Sequence, residues 1–355
     1  MSYLFAILLF SFLIFIHELG HFAAAKAFGV QVNEFSLFMG PALFQKQIGQ
    51  TVYSVRCIPI GGFCAMEGED GEEPSDNPHA FPNAAWWKKA VILAAGAFMN
   101  FVVGVLLMLA FFAPDKQFIM PVVSEVDPRC SFAGEAGIQA GDRLWSIDGE
   151  RIYVSSDFSM LLSLKGGETH DLVVVRGGRK VSLPNLDLRK QDFENEDGTV
   201  TQRYGFSFTL CNASPGVTLG YSWNSTLDCV RLVRLSLQML LRGQAGVQDV
   251  SGPVGIVQQM ATVADNSGSA YYAFLNMIYF GSFIAINLSV MNLLPIPALD
   301  GGRVVGVLLS AAYEGITKKK PNPKIEGYIH SAGMVLLMAL MVLLLFKDII
   351  FAIKG

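Results

Sequence analysis

The strongest chemical signal in the sequence is the pentapeptide His17-Glu18-Leu19-Gly20-His21. Its two histidines are four residues apart, so on a helix both imidazoles project from one face and can hold the same metal ion. Glu18 follows the first histidine and can reach a water activated by that ion, which it would serve as general base. This H-E-x-x-H pattern indicates metal-dependent hydrolysis.

The surroundings of the motif strengthen the metal hypothesis. The pentapeptide lies within an apolar block from about Tyr3 to Phe28, which predicts a transmembrane helix rather than a cleaved signal peptide. An ionisable side chain inside such a helix costs about 2.5–3.5 kcal/mol on insertion scales, so these side chains need a compensating partner. Zinc is the expected ion, because it favours imidazole and carboxylate ligands and a catalytic zinc site leaves one position for water.

Two histidines leave a catalytic zinc ion short of one protein ligand, and Asp300 is the candidate. It lies in the segment 292–302, which reads NLLPIPALDGG and follows the third predicted span. The predicted topology puts this end of the third span on the same side of the membrane as the histidine end of the first. We therefore expect His17, His21 and Asp300 to converge on one zinc ion.

The composition places both motifs in a membrane protein. Of the 355 residues 52% are hydrophobic and 16% charged, against about 25% charged in soluble proteins. The apolar residues form four blocks that predict transmembrane helices, at about 3–28, 90–113, 271–294 and 329–346. The net charge of −4 and the lack of a strongly basic face give no sign of nucleic-acid binding, so we expect no nucleic-acid partner. The five cysteines form no C-x-x-C pair and are poor zinc ligands.

The stretch 35–69 differs from the spans, because its β-branched and aromatic residues are broken by Gly and Pro. This pattern predicts short strands and turns. Non-helical backbone can lie at membrane depth only where protein or a water-filled cavity shelters it. A sheet wedged beside the first helix is one interpretation, and a cytosolic hairpin is the other.

A predicted helix at 221–242 has four polar residues at helical spacing, so they share one of its faces: Arg231, Arg234, Gln238 and Arg242. That helix either lies in the membrane interface or packs on a soluble domain. The loop at 297–328 is basic, so the positive-inside rule puts it in the cytosol together with the 35–85 loop.

The two remote motifs together resemble the site-2 protease family of intramembrane zinc metalloproteases, in its bacterial form that regulates envelope and sigma-factor signalling. The resemblance covers nearly the whole chain and includes the H-E-L-G-H motif, the hairpin region and N-x-x-P-x-P-x-L-D-G. It implies zinc ligands His17, His21 and Asp300, the catalytic base Glu18, and substrate-binding residues Asn292, Pro295, Gly61 and Gly62. The hairpin region is similar to a membrane-reentrant β-structure of the family, to whose edge an unwound substrate would add as a strand.

Two further features follow from the resemblance. The second span has Gly96 to Asn100 where the family commonly has Gly-Pro before its Asn, so Asn100 fits the pattern without the proline. Residues 136–149 are similar to part of a PDZ domain, and the chain has room for one such domain. That domain would exclude bulky ectodomains, bind a newly formed C-terminal carboxylate, or serve a structural role.

The predicted fold is a polytopic α-helical membrane protein with four transmembrane helices, a membrane-associated β-hairpin region and one inserted α+β PDZ-like domain. Residues 1–114 hold the first two spans and the β-region, and residues 115–210 the PDZ-like domain and a polar linker. Residues 211–268 hold the amphipathic helix and a connecting loop. Residues 269–355 hold the third span with the L-D-G motif, the cytosolic basic loop and the fourth span.

The predicted function is hydrolysis of peptide bonds in or near transmembrane segments, in regulated intramembrane proteolysis. The resemblance implies substrates that are single-span membrane proteins of the anti-sigma-factor or signal-peptide type, including some already cut once. It also implies the inner cell membrane, with the active site toward the cytosol and the PDZ-like domain outside. Two rival hypotheses are a membrane-anchored zincin that cuts outside the bilayer and a non-catalytic scaffold or metal transporter with a vestigial site.

Overall fold

A computed structural model describes residues 2–69, 76–194, 199–244, 246, 252–319 and 323–354. The chain forms two compact units: a membrane unit, Met1–Leu107 with Leu232–Gly355, and an inserted unit, Met108–Arg231. In the described part of the chain, four helical segments are long and apolar enough to cross a membrane: Phe5–Ala27, Trp86–Phe112, Ala270–Asn292 and Gly327–Asp348. They coincide with the four predicted spans, so this is a multi-pass membrane protein.

The membrane unit contains most of the helices, which are numbered with the strands in chain order. It comprises α1 (Ser2–Ala27), β1 (Val32–Ile48), β2 (Thr51–Met66), most of α2 (Trp86–Phe112), the end of α4 (Pro215–Leu241), α5 (Pro253–Asp265), α6 (Ala270–Asn292), α7 (Asp300–Thr317) and α8 (Pro323–Lys354). The basic loop predicted between the last two spans is therefore incorrect for most of its length, because α7 occupies it. Residues 70–75 of the predicted 35–85 loop lie outside the described residues.

The β-region consists of two long, bent, antiparallel strands rather than a simple hairpin. Residues 34–37 of β1 lie opposite both 52–55 and 62–65 of β2, so they occupy the middle of the sheet. The sheet packs beside α1, where the Ser11 hydroxyl donates to the Pro59 carbonyl at 2.9 Å. Strand residues Phe35 and Cys64 join Ala25 and Ile92 in one buried cluster, which fastens the sheet to α1 and α2.

A second buried cluster joins α1 to α5 and α6. Its members are apolar and nearly inaccessible: Ala6, Leu13, Met260, Ile284 and Ala285. In contrast, the most apolar window of α8 buries none of its residues. Helices that are apolar on every face are the ones expected where lipid replaces water as the solvent.

The inserted unit is a mixed α/β domain. Its elements are β3 (Gln117–Val126), β4 (Arg143–Ile147), β5 (Glu150–Arg151), α3 (Ser156–Lys165), β6 (Thr169–Arg176), β7 (Arg179–Asp187), β8 (Gln191–Glu194), β9 (Val200–Arg203) and β10 (Phe206–Asn212). The main sheet has the order β10-β3-β4-β6-β7, with β5 paired to β4. The predicted polar linker at 190–204 is wrong, because β8 and β9 pair there.

Arg231 shows how α4 is anchored. The helix predicted at 221–242 is confirmed, but Arg231 is only 4% exposed and does not face a lipid headgroup. Its guanidinium forms ion pairs with Asp157, at 2.9 Å, and with Asp228, one turn earlier on α4. This part of α4 therefore packs on the inserted unit, which was the alternative left open by its amphipathic pattern.

Candidate metal centre

The two histidines of the pentapeptide lie on one face of α1, as their spacing predicts. Their Nε2 atoms are 3.2 Å apart. The Nδ1 atom of His21 lies 2.8 Å from the Ile92 carbonyl oxygen on α2, to which it donates in the Nδ1–H tautomer. That hydrogen bond leaves the lone pair of His21 Nε2 free and fixes the direction in which it points.

Asp300 reaches the same point from a remote part of the chain. It is the first residue of α7, directly after a turn in which Ala298 adopts the left-handed conformation, with φ of 76°. The turn is tight, because a Cβ added at Gly301 would lie 2.3 Å from the Leu293 carbonyl carbon. Asp300 Oδ2 thereby lies 3.1 Å from His17 Nε2 and 3.4 Å from His21 Nε2.

These three atoms have the spacing of zinc ligands. Ligand bonds of about 2.0–2.1 Å in a tetrahedron place neighbouring ligand atoms about 3.3 Å apart, and the three observed separations run from 3.1 to 3.4 Å. Asp300 Oδ2 is also buried without a hydrogen-bond partner. Three electron-rich atoms packed this closely repel one another unless a cation lies among them. The residues present therefore fit a zinc ion.

The electrostatic environment of Asp300 agrees with a ligand role. Burial acts to raise the pKa of this carboxyl group, but its interactions with His17 and His21 outweigh that effect and hold the pKa below its ordinary value. The carboxylate form is the one that binds a metal.

Glu18 lies between the metal-binding face and the sheet. A Cβ added at Gly62 would be 3.8 Å from Glu18 Cγ, so this glycine of β2 borders the carboxylate. Gly61 precedes it with φ of 80°, a conformation that favours glycine. The structure thus brings Glu18, Gly61 and Gly62 into one region.

Asn292 and Pro295 belong to the segment that leads to Asp300. Asn292 is the last residue of α6, and Pro295 is exposed in the following turn. The backbone of Leu293 packs against Gly301, next to Asp300. Asn292 and Pro295 are therefore held in place by the same turn that carries the Asp300 carboxylate, and Pro295 is accessible there.

Several contacts that support the centre were missed by sequence reasoning. Arg303, one turn after Asp300, forms an ion pair with Glu69 at 2.5 Å, which joins α7 to the end of the β-region. The Ala298 amide donates to His330 Nδ1 on α8 at 3.3 Å. The H-E-x-x-H motif gives no sign of these two contacts. Arg303 and Glu69 are 234 residues apart in the sequence, and Ala298 and His330 are 32 residues apart.

Gly96 of α2 closes the other side of the imidazole pair. A Cβ at this position would lie 2.4 Å from His21 Nε2 and 2.8 Å from His17 Cε1. Both distances are far inside van der Waals contact, so any other residue would displace the rings. The close approach of α1 and α2 thus depends on a missing side chain.

Gly96→Ala is expected to lower zinc affinity by about 10–100-fold, comparable to the loss of an outer-shell partner, because both rings must move. Zinc bound per purified chain, measured by mass spectrometry after dialysis against a chelator, tests this. Gly220→Ala on α4 is the matched control, since a Cβ there meets no atom within 4 Å. Equal zinc retention in the two variants would show that Gly96 does not shape the centre.

Comparison with known proteins identifies the family. The profile of peptidase family M50 matches residues 5–340. Two clostridial proteins named as zinc metalloproteases are similar over nearly their whole length. The Clostridium perfringens protein is 37% identical, covering 99% of this chain and 100% of its own. The Clostridium acetobutylicum protein is 35% identical, covering 98% and 97%.

A more distant relative has a more specific name. The regulator of sigma-W protease RasP of Bacillus subtilis is 26% identical over 426 residues, covering 97% of each chain. The family match spans the H-E-x-x-H helix, the β-region and the turn that carries Asp300. The chain therefore belongs to peptidase family M50, the site-2 protease family, and is a zinc-dependent metalloprotease of the membrane.

Proposed function

We propose that this protease cuts its substrates within or at the edge of their transmembrane segments. The observation that carries the proposal is the zinc-sized triangle of His17, His21 and Asp300, of which both histidines lie on a helix apolar enough to span a membrane. A zincin that acts in water does not need its ionisable ligands in an apolar span, where each of them costs free energy of insertion.

The residues around the triangle have distinct roles in the proposed reaction. Zinc bound there supplies a Lewis acid that polarises the scissile carbonyl group and acidifies a water molecule. Glu18 accepts the proton of the attacking water and delivers it to the leaving amine. His21 is held in its metal-binding orientation by the Ile92 carbonyl, so its imidazole does not compete for that proton.

The β-region provides a way to present the substrate. Among the described residues, 62–66 of β2 pair only with β1, which leaves their outer edge open. A helical peptide bond is already hydrogen-bonded, so a substrate must unwind before attack, and addition to this edge would hold it extended. Gly62 borders Glu18, which puts the added strand next to the base. Asn292 and Pro295 hold that strand from the side of α6.

The orientation and the inserted unit complete the proposal. Lys318 and Lys319 directly follow α7, so by the positive-inside rule the turn with Asp300 faces the cytosol and the inserted unit lies outside. The inserted unit is PDZ-like and filters substrates, with β10 as an edge strand of its sheet. The substrates are single-span membrane proteins of the anti-sigma-factor or signal-peptide type, by analogy with the name of RasP. The cell membrane supplies the lipid environment.

Mapping the cut tests this proposal. The purified protein is reconstituted in lipid with single-span membrane proteins, and the product termini are determined by mass spectrometry. We expect new termini within the transmembrane segment or a few residues from its cytosolic end. Cuts confined to extramembrane regions would overturn the proposal and favour a zincin that works at the membrane surface.

A matched substrate sharpens the result. Because the β-edge needs an unwound strand, helix-breaking Gly or Pro residues in the substrate span should speed the cut, and Leu at the same positions should slow it. Equal rates for the two substrates would contradict the strand-addition step while leaving the zinc chemistry intact.

A further inference from the structure

Two buried polar atoms near the metal centre lack partners, and their chemistry is complementary. His17 Nδ1 and Asn100 Oδ1 are both inaccessible and neither forms a hydrogen bond. Asn100 is 1% exposed and lies on α2. An imidazole that binds zinc through Nε2 carries its proton on Nδ1 and is a donor there, whereas an amide oxygen is an acceptor. An unmade hydrogen bond of this kind is costly in an apolar interior.

The packing of α1 on α2 places the two residues on facing surfaces. Gly20 and His21 of α1 contact residues 92–96 of α2, and His17, one turn earlier, contacts Gly96. The two helices therefore run in opposite directions along this interface, so residues beyond Gly96 on α2 face His17 and the turn before it. Asn100 is one turn beyond Gly96 on the same face of α2.

The direction of the Asn100 side chain completes the argument. Helical side chains lean toward the N-terminus of their own helix, so that of Asn100 leans toward Gly96. Gly96 has no side chain, and the rings of His21 and His17 fill the space over it. The packing therefore puts the buried amide oxygen of Asn100 and the buried Nδ1 of His17 on facing surfaces of the α1–α2 interface.

We propose that Asn100 is a positioning residue for the zinc ligand His17, whose Nδ1–H donates to the Asn100 carbonyl oxygen when zinc is bound. This inference rests on the zinc site proposed above. It gives the two imidazoles equivalent support, since His21 Nδ1 donates to the Ile92 carbonyl in the same way. Both Nε2 lone pairs are then directed at the ion, and an outer-shell partner of this kind is typically worth 10–100-fold in metal affinity.

A competing role for Asn100 is donation from its amide nitrogen to the substrate during attack. The two roles predict opposite results for two variants of similar shape. Leu keeps the branched shape of Asn, with a somewhat larger volume, and removes both polar atoms. Asp keeps the acceptor oxygen and removes the donor nitrogen.

The experiment measures zinc dissociation constants of the detergent-solubilised full-length chain by competition with a chromophoric chelator, alongside turnover at saturating zinc. We expect N100L to bind zinc about 10–100-fold more weakly and N100D to bind it at least as tightly as wild type. Ser282→Ala is the control, because it removes another buried polar contact to α2, to the Gly104 carbonyl, and should leave zinc binding unchanged.

Three results would overturn the inference: unchanged zinc affinity in N100L, zinc loss in N100D equal to that in N100L, or equal zinc loss in S282A. Unchanged zinc affinity in N100L, together with loss of turnover in N100D at full zinc occupancy, would overturn the inference and assign the amide to the substrate. Failure of the zinc site itself is distinguishable, because wild-type protein would then bind no zinc under the same conditions.

Discussion

Glu18→Gln is expected to abolish peptide-bond cleavage while the protein keeps its zinc. The substitution preserves the shape of the side chain but removes its ability to accept a proton. General-base catalysis typically contributes about 10²–10⁴-fold to the rate, so turnover should fall by at least that amount. Zinc should remain, because the triangle of His17, His21 and Asp300 does not include Glu18. The measurement is cleavage of a reconstituted single-span substrate together with zinc per chain.

Glu314→Gln provides the matched control for this loss. Glu314 is exposed on α7, so the same carboxylate-to-amide change there should leave turnover unaltered. Substrate cleavage by the Glu18 variant at the wild-type rate would refute the assignment of the base. Loss of both zinc and cleavage would show that Glu18 has a structural role in the centre rather than a purely chemical one.

Asp300→Ala is the second change with a large expected effect, and it should strongly reduce bound zinc. In the proposed site the carboxylate is one of three protein ligands, and its Oδ2 lies within 3.4 Å of both imidazole nitrogens. Removing it leaves two histidines, which hold zinc weakly without a third protein ligand. Zinc is measured by mass spectrometry after chelator dialysis, and folding by the thermal unfolding transition.

Asp300→Asn refines this experiment, because an amide matches the shape of the carboxylate but neutralises its charge. It should also lose zinc, whereas Asp127→Asn, on an exposed ion pair of the inserted unit, should keep it. Full metal occupancy in both Asp300 variants would mean that the third ligand lies elsewhere in the chain.

The candidate metal ligands could be found from the sequence because local periodicity and topology both constrain them. The spacing of His17 and His21 fixes their common face on any helix. Asp300 is found by counting the spans, since the number of membrane crossings decides which span ends lie on the same side of the membrane. Neither argument needs a distance, and both led to side chains that the structure places within 3.4 Å of each other.

The contacts that support those residues could not be read from the sequence. The Ile92 carbonyl contact and the close approach at Gly96 arise only once α1 and α2 pack in a particular register. The same packing buries Asn100 Oδ1, for which we propose a supporting role. Periodicity identifies which residues share a face, but the register between two helices depends on how all their side chains fit together.

Arg231 and α7 show a different limit. The spacing of the basic residues on α4 predicts a polar face. It does not predict what that face contacts, because a lipid phosphate and the buried carboxylate of Asp157 can each pair with a guanidinium. In the segment after Asp300, the lysines near 318–324 indicated a loop, although the residues before them form α7 with a strongly one-sided apolar face. Charge indicated the side of the membrane there, but it did not indicate the backbone conformation.

X-ray absorption spectroscopy at the zinc edge of the purified protein tests the central claim most directly. We predict one zinc ion per chain with four nitrogen or oxygen neighbours at about 2.0–2.1 Å, two of them imidazoles, and loss of one imidazole contribution in His17→Ala protein reloaded with zinc. A spectrum with sulfur ligands, or one that Asp300→Ala and His17→Ala leave unchanged, would place zinc outside this triangle and contradict the account.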